Sequence, residues 1–278
     1  MLRKLLKYDF SSIIKLWIIP TITVYVLSFP VGYAIRLTEL PRDIPLGIQL
    51  SSILGTAVLA LGLFVYLILT AVLIFKRFYK NFFTDEGYLT FTLPVKRNQL
   101  LFSKVLFGTI TYSATIFVFI ATIINLLLMS YQPSAEPTET TNIIASLNDG
   151  LCMGTSVSVM YVLAVILLIF AIFVLFNCIS VIFMYLCITI ASMVAKKNKV
   201  LSAVGIYYLS NSTVSFFAML FMLFGLDSIF QWTAVFSEKE GYIFFLLVLF
   251  LATTFLALIS TCFYLIIYRM LDKKLNLT

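Results

Sequence analysis

Histidine is absent from all 278 residues of the chain. Its absence removes imidazole metal sites, Ser-His and Cys-His nucleophile pairs, and histidine-ligated haem. Charge is also scarce. Charged residues make up 11% and hydrophobic residues 62%, with a mean hydropathy of +1.08. Soluble domains carry about 25% charged residues, roughly twice what is available here to face water. No G-x-x-x-x-G-K-[ST] phosphate loop occurs, so the chain does not bind ATP by that route itself. A soluble enzyme is excluded, and the composition also excludes collagen-like, disulfide-framework and disordered chains. The four cysteines, Cys152, Cys178, Cys187 and Cys262, mostly lie in apolar runs, where they act as small apolar residues and no disulfide is expected.

What is present is a series of long apolar stretches, at 16–35, 48–75, 101–130, 155–195, 200–225 and 241–268. Each reaches the ~20 residues needed to cross a ~30 Å hydrocarbon core at 1.5 Å per residue. Pro20 and Pro30 fall in the first stretch and are expected to kink it. Arg3, Lys4 and Lys7 ahead of it suggest a signal peptide. Its apolar run, Leu16 to Ile35, exceeds an h-region, however, and no A-x-A site follows, so it reads as a membrane helix. Thr155 to Ala195 spans 41 residues, ~61 Å as one helix and about twice the hydrocarbon thickness. Two passes there would reverse the charge bias of the later loops. One crossing with a long extension or kink is expected, with a re-entrant hairpin as the alternative.

The basic residues orient the chain by the positive-inside rule. An N-terminus in the cytoplasm puts Arg3, Lys4, Lys7, Lys15, Lys76, Arg77, Lys80, Lys96, Arg97, Lys104, Lys196, Lys197, Lys199, Arg269, Lys273 and Lys274 on the inner side. Only Arg36, Arg42 and Lys239 remain outside. Both termini are therefore expected in the cytoplasm. The net charge of +7 reflects this bias and does not point to a nucleic-acid partner.

No Asp, Glu, Lys or Arg lies in the middle of any span; Lys15 and Lys104 lie near the inner ends, where snorkelling is expected. Proton-coupled transporters and voltage sensors need intramembrane charge, so uphill transport would draw its energy from another subunit. The bland reading is a scaffold that moves nothing. Residues 1–15 read as an interfacial amphipathic helix. Leu2, Leu5, Leu6, Phe10, Ile13 and Ile14 fall on one stripe, and Lys4, Lys7, Ser11 and Lys15 on another. Arg3, Lys4 and Lys7 are its candidate contacts with anionic lipid headgroups; a topology-setting anchor is the plainer role.

The segment between spans two and three is the most informative. Phe75, Phe78, Tyr79, Phe82 and Phe83 recur at i, i+3, i+4, i+7 and i+8, continuing the second helix as an aromatic stripe. Lys76, Arg77, Lys80, Asn81 and Thr84 occupy the other face. Asp85 and Glu86 follow, Gly87 is suited to a left-handed cap, and an extended connector runs to Pro94 and the basic pair Lys96 and Arg97. The segment reads as a projection that docks in a protein groove, or as an aromatic belt on the inner leaflet.

Gly87-Tyr-Leu-Thr-Phe-Thr-Leu-Pro-Val-Lys-Arg-Asn-Gln-Leu-Leu-Phe-Ser-Lys104 resembles the "LTLPVSR-x-QLL-x-x-K" stretch of type-2 ABC transporter permeases. The opening Met1-Leu-Arg-Lys-Leu-Leu-Lys-Tyr-Asp9 and the pair Asp85-Glu86 look like the same family in Gram-positive bacteria. The resemblance implies an all-α membrane protein with a single permease domain over 1–278: an N-terminal interfacial helix, six transmembrane helices, and a cytoplasmic coupling helix after span two. It implies a second copy or a paralogue as dimer partner, and two separate ABC ATPase subunits that hold the ATP and Mg, with no cofactor on this chain. Phe78, Tyr79, Phe82, Phe83, Thr84, Asp85, Glu86 and Gly87 take the place of ATPase contacts. Export from the bacterial cytoplasm is implied, of antimicrobial peptides, toxins, drugs or lipid-linked glycans. The chain departs from the larger peptide-sensing permeases in its short outer loops, which weakens a sensor role.

Asn125, Asn177 and Asn211 are polar groups within spans three, four and five and are the candidate substrate path, with interhelical hydrogen bonding as the plainer reading. Asn211-Ser-Thr is also a formal glycosylation sequon, placed inside a span. Spans lined with Phe, Leu and Ile suit a hydrophobic or amphipathic substrate. An intramembrane enzyme is the weakest reading: the spans hold no Asp, and Ser103 and Lys104 are sequence neighbours that point to different helix faces. A non-transporting scaffold or a peptide-sequestering immunity protein shares every feature except the ATPase.

Overall fold

The computed structural model describes residues 2–38, 45–84, 97–130, 159–195, 199–233 and 238–275. Among these every regular element is a helix: α1 Leu2–Thr38, α2 Leu46–Phe83, α3 Arg97–Ser130, α4 Val159–Val194, α5 Lys199–Thr233 and α6 Glu238–Leu275. Among the described residues, five segments are long and apolar enough to cross a membrane: Lys4–Thr38, Leu46–Phe83, Asn98–Ser130, Leu163–Val194 and Phe244–Asp272. The chain is a multi-pass membrane protein. Helices dominate because each backbone donor and acceptor finds its partner within the same segment, as hydrocarbon demands. α5 covers the expected fifth span as helix, and the side chains along much of its second half lie outside the described residues.

Three features differ from the reading of the sequence or sharpen it. The N-terminal amphipathic segment and the first span form one unbroken helix through Pro20 and Pro30. Each proline removes the amide that the carbonyl of Leu16 or Val26 would otherwise accept. The long fourth stretch is a single helix of 36 residues, ~54 Å, with no hairpin between Val159 and Val194. And α2 runs on past the apolar span to Phe83, carrying the aromatic stripe as helix.

The chain divides into two units. One comprises Tyr8–Leu73 and Ile110–Val162, with most of α1 and α2 and the second part of α3. Its core is Val24, Val31, Leu59, Leu63 and Tyr66, flanked by Trp17, Leu27, Ile35, Val118, Phe119 and Leu126. A polar belt ties these helices together. Trp17 Nε1 donates to Thr115 Oγ1 at 3.0 Å, Thr21 Oγ1 to Tyr66 Oη at 3.0 Å, and Thr115 Oγ1 to Thr70 Oγ1 at 3.4 Å. Gly32 lets α1 meet α3 closely, since a Cβ there would lie 2.6 Å from Met129 Cβ.

The other unit comprises Met1–Lys7, Ile74–Thr109 and Leu163–Thr278. It gathers the end of α2, the start of α3, and α4, α5 and α6. Its buried residues include Ile74, Phe78, Leu101, Phe107, Val181, Tyr185, Ile188 and Ile267. Phe183 on α4 packs against Tyr207 of α5 and Phe263 of α6, with ring centroids 6.2 and 6.0 Å apart.

Candidate functional site

The end of α2 is where the aromatic stripe meets the rest of its unit. Phe78 and Tyr185 are each only 1% exposed. Their rings stack in parallel, with centroids 3.9 Å apart and planes inclined by 8°. Phe82 lies 4.9 Å from Phe78, and Phe83 lies 6.1 Å from Phe78 and 5.9 Å from Tyr79. Tyr185 Oη donates to the main-chain carbonyl of Lys104 at 3.1 Å. This is the partner that a buried phenol needs. Gly108 leaves room for the contact: a Cβ there would lie 2.6 Å from Val181 Cγ1 and 2.7 Å from Tyr185 Oη. Tyr185 thus joins α2, α3 and α4 at one point. The sequence reading missed it; a tyrosine deep in the apolar run of α4 was the available signal.

This packing places two residues of the stripe inside. Phe78 and Phe82 are buried within the chain. Phe78 stacks on Tyr185 and Phe82 packs on Phe78, so both support the end of α2 from inside. The exposed residues of this turn are Lys76, Lys80 and Thr84, with Tyr79 and Phe83 half-buried. Thr84 Oγ1 donates to the carbonyl of Lys80 at 2.6 Å, satisfying one of the orphan acceptors at the helix end. Asp85, Glu86 and Gly87 lie outside the described residues. Lys104, expected to snorkel, is 5% exposed, and its main-chain carbonyl accepts from Tyr185 of α4. A buried ammonium is costly unless paired, and neither Lys104 nor the buried Asp9 is without a partner.

At the N-terminus, Lys4, Lys7 and Lys15 are exposed, Leu5, Leu6 and Phe10 are half-buried, and Ile13 is buried. Ile14, assigned to the apolar stripe, is exposed, and the Arg3 side chain lies outside the described residues.

The three asparagines have separate environments. Asn125 Nδ2 donates to Ser28 Oγ at 2.6 Å, a bond between α3 and α1 in which both side chains are buried. Asn177 is 0% exposed. Its Nδ2 donates to the carbonyl of Phe173 at 2.8 Å, while its Oδ1 has no partner among the described residues. Asn211 is exposed on α5. Among the described residues none of the three bonds to another. Nor do the described residues bring together three His, Cys, Asp or Glu side chains able to hold a metal ion. No family model, curated protein or solved structure matches the chain.

Proposed function

We propose that the chain is the membrane-spanning permease subunit of an ATP-driven exporter, working in the bacterial cytoplasmic membrane with both termini in the cytoplasm. It is no enzyme itself, and separate ABC ATPase subunits supply the hydrolysis. The observation that carries this reading is the continuation of α2 beyond its apolar span. That extension is braced inside by the Phe78–Tyr185 stack and exposes Lys76, Lys80 and Thr84. A helix end braced in this way transmits a push from a docked subunit to α3 and α4 instead of bending. Spans without central charge support an external energy source, and the resemblance of residues 87–104 to type-2 ABC permeases supports the identity of the partner. Asp85, Glu86 and Gly87 complete the docking surface in this reading. A second copy or a paralogue completes the pathway, α5 serves as the remaining transmembrane helix, and Arg3, Lys4 and Lys7 face anionic lipid.

The substrate class is hydrophobic or amphipathic, such as an antimicrobial peptide, toxin or drug. Asn177 and Asn211 remain candidates for its path. Asn125, held by Ser28, is assigned to helix–helix packing.

The test is affinity purification of the full chain from native membranes in mild detergent. A stoichiometric ATPase subunit should co-elute and be lost in a Lys76→Glu, Lys80→Glu double variant that still folds. A chain that elutes alone, or with a bound peptide and no ATPase activity, overturns the reading in favour of a scaffold or immunity protein.

A further inference from the structure

Away from the Tyr185 junction, the same unit contains a cleft of about 360 Å³ between α3, α4 and α6. Its lining follows helical stripes: Asn98, Phe102 and Val105 on α3, Cys178 and Ile182 on α4, and Ser260 and Tyr264 on α6, with Gln99 and Thr261 beside them. One end is fixed by Tyr264 Oη, which donates to the Asn98 side chain and lies 3.1 Å from the Asn98 carbonyl. Seven residues further along α3, ~10 Å by helix rise, Val105 marks the other end. Exposure falls along this path. Asn98 and Gln99 are exposed, Phe102 is 46% exposed, and Val105 and Ile182 are buried.

The chemistry of the lining selects a ligand class. No lining residue carries a charge, so nothing in the cleft neutralises a phosphate, carboxylate or ammonium, and burying one unpaired is costly. The Asn98–Gln99 end has donors and acceptors to offer. Among the described residues the Gln99 amide has no hydrogen bond, and Asn98 is bonded only to Tyr264. Ser260 and Thr261 donate to the carbonyls of Ala257 and Leu258, which leaves their oxygens able to accept. A purely apolar occupant would strip these groups of water without replacing it. The volume sits near the lower limit of ligand pockets, about 300–1,000 Å³, too small for a folded peptide.

We infer that this cleft binds an uncharged amphiphile, with a hydroxyl- or amide-bearing head at Asn98 and Gln99 and one hydrocarbon chain running toward Val105 and Ile182. The inference is independent of the ATP-driven reading and holds for any membrane protein of this structure. Such a ligand comes either from the bilayer as a two-chain lipid or from solution as a single-chain amphiphile.

Cys178 lines the cleft, and Cys262 is exposed on α6, so the protein contains both a probe and its reference. The full chain carrying Cys152→Ser and Cys187→Ala, reconstituted in phosphatidylglycerol nanodiscs, would be labelled with N-ethylmaleimide and followed by mass spectrometry. Monooleoylglycerol should slow labelling of Cys178, by about tenfold at ten times its half-maximal concentration, and leave Cys262 unchanged. Gln99→Leu, which breaks no hydrogen bond among the described residues, should raise the concentration needed by about tenfold and keep the unprotected rate. Equal protection by dioleoylglycerol identifies a bilayer lipid as the source; protection by the single-chain compound alone identifies a soluble amphiphile. No protection, equal protection by oleate, parallel slowing of Cys262, or protection unchanged in Gln99→Leu each overturns the inference.

Discussion

Replacing Gly108 with alanine tests whether α3 and α4 meet as closely as the Tyr185 junction requires. The added Cβ would lie 2.6 Å from Val181 Cγ1 and 2.7 Å from Tyr185 Oη. Carbon atoms in favourable contact sit about 3.5–4.0 Å apart, so the two helices must separate by about 1 Å or the side chains must move. Neither side chain moves cheaply. Val181 is β-branched and stiff at χ1, and Tyr185 is held by its bond to the Lys104 carbonyl and its stack on Phe78. Overpacking of this kind costs about 1–3 kcal/mol. Alanine's better helix propensity returns about 1 kcal/mol, leaving a net loss of about 0–2 kcal/mol. Gly205 on α5 is the control, because nothing among the described residues lies within 4 Å of a Cβ there; Gly205→Ala should gain about 0.5–1 kcal/mol. The assay is reversible unfolding in mixed micelles titrated with sodium dodecyl sulfate, followed by circular dichroism. Adding Val181→Ala to Gly108→Ala should recover part of the loss. Gly108→Ala as stable as Gly205→Ala, or no recovery with Val181→Ala, would refute the close contact of α3 with α4.

Removing the Asn125–Ser28 bond should destabilise the chain by about 0.6–1.7 kcal/mol, the range of interhelical hydrogen bonds in membranes. A double-mutant cycle of Asn125→Leu with Ser28→Ala measures it, and zero coupling would show that the bond contributes nothing. Trp17→Phe should cost a similar amount by breaking the 3.0 Å bond to Thr115, read from the same titration in a cycle with Thr115→Val. Phe78→Ala should lower stability by about 3–5 kcal/mol through the cavity it leaves. Lys80→Glu, at an exposed site, should stay within about ±0.5 kcal/mol of the parent. Unfolding curves for that pair separate support of the helix end from docking; equal effects would remove the distinction.

The membrane class, the helical architecture and the approximate extent of each helix were legible in the sequence, because apolar length is compared with a fixed hydrocarbon thickness and requires no partner. The continuation of α2 was legible for a similar reason: Phe75 to Phe83 repeat with the helical period. Which way that stripe faces was not. Period alone is equally satisfied by aromatics lying on a membrane, docked in a partner or packed inside, and the deciding residue, Tyr185, is about a hundred positions away. The burial of Lys104 was illegible for the same reason, since its place at a span end says nothing of its neighbours. Asn125 was open between substrate path and packing until Ser28, separated by 97 residues, stood opposite it.

By itself, then, the amino-acid order determined that this chain spans a membrane as helices and that its basic residues cluster in alternate loops, both of which depend on composition within a single segment. Tertiary structure decided that Phe78 and Phe82 are buried, that Gly108 and Gly32 are crossing points, and that Asn98, Gln99 and Tyr264 share the mouth of one cleft. Each of these depends on which helices become neighbours. In a bilayer, lipid and helix are similarly apolar, so the choice of neighbours rests on close packing and a few hydrogen bonds, terms that exist only once the helices are side by side.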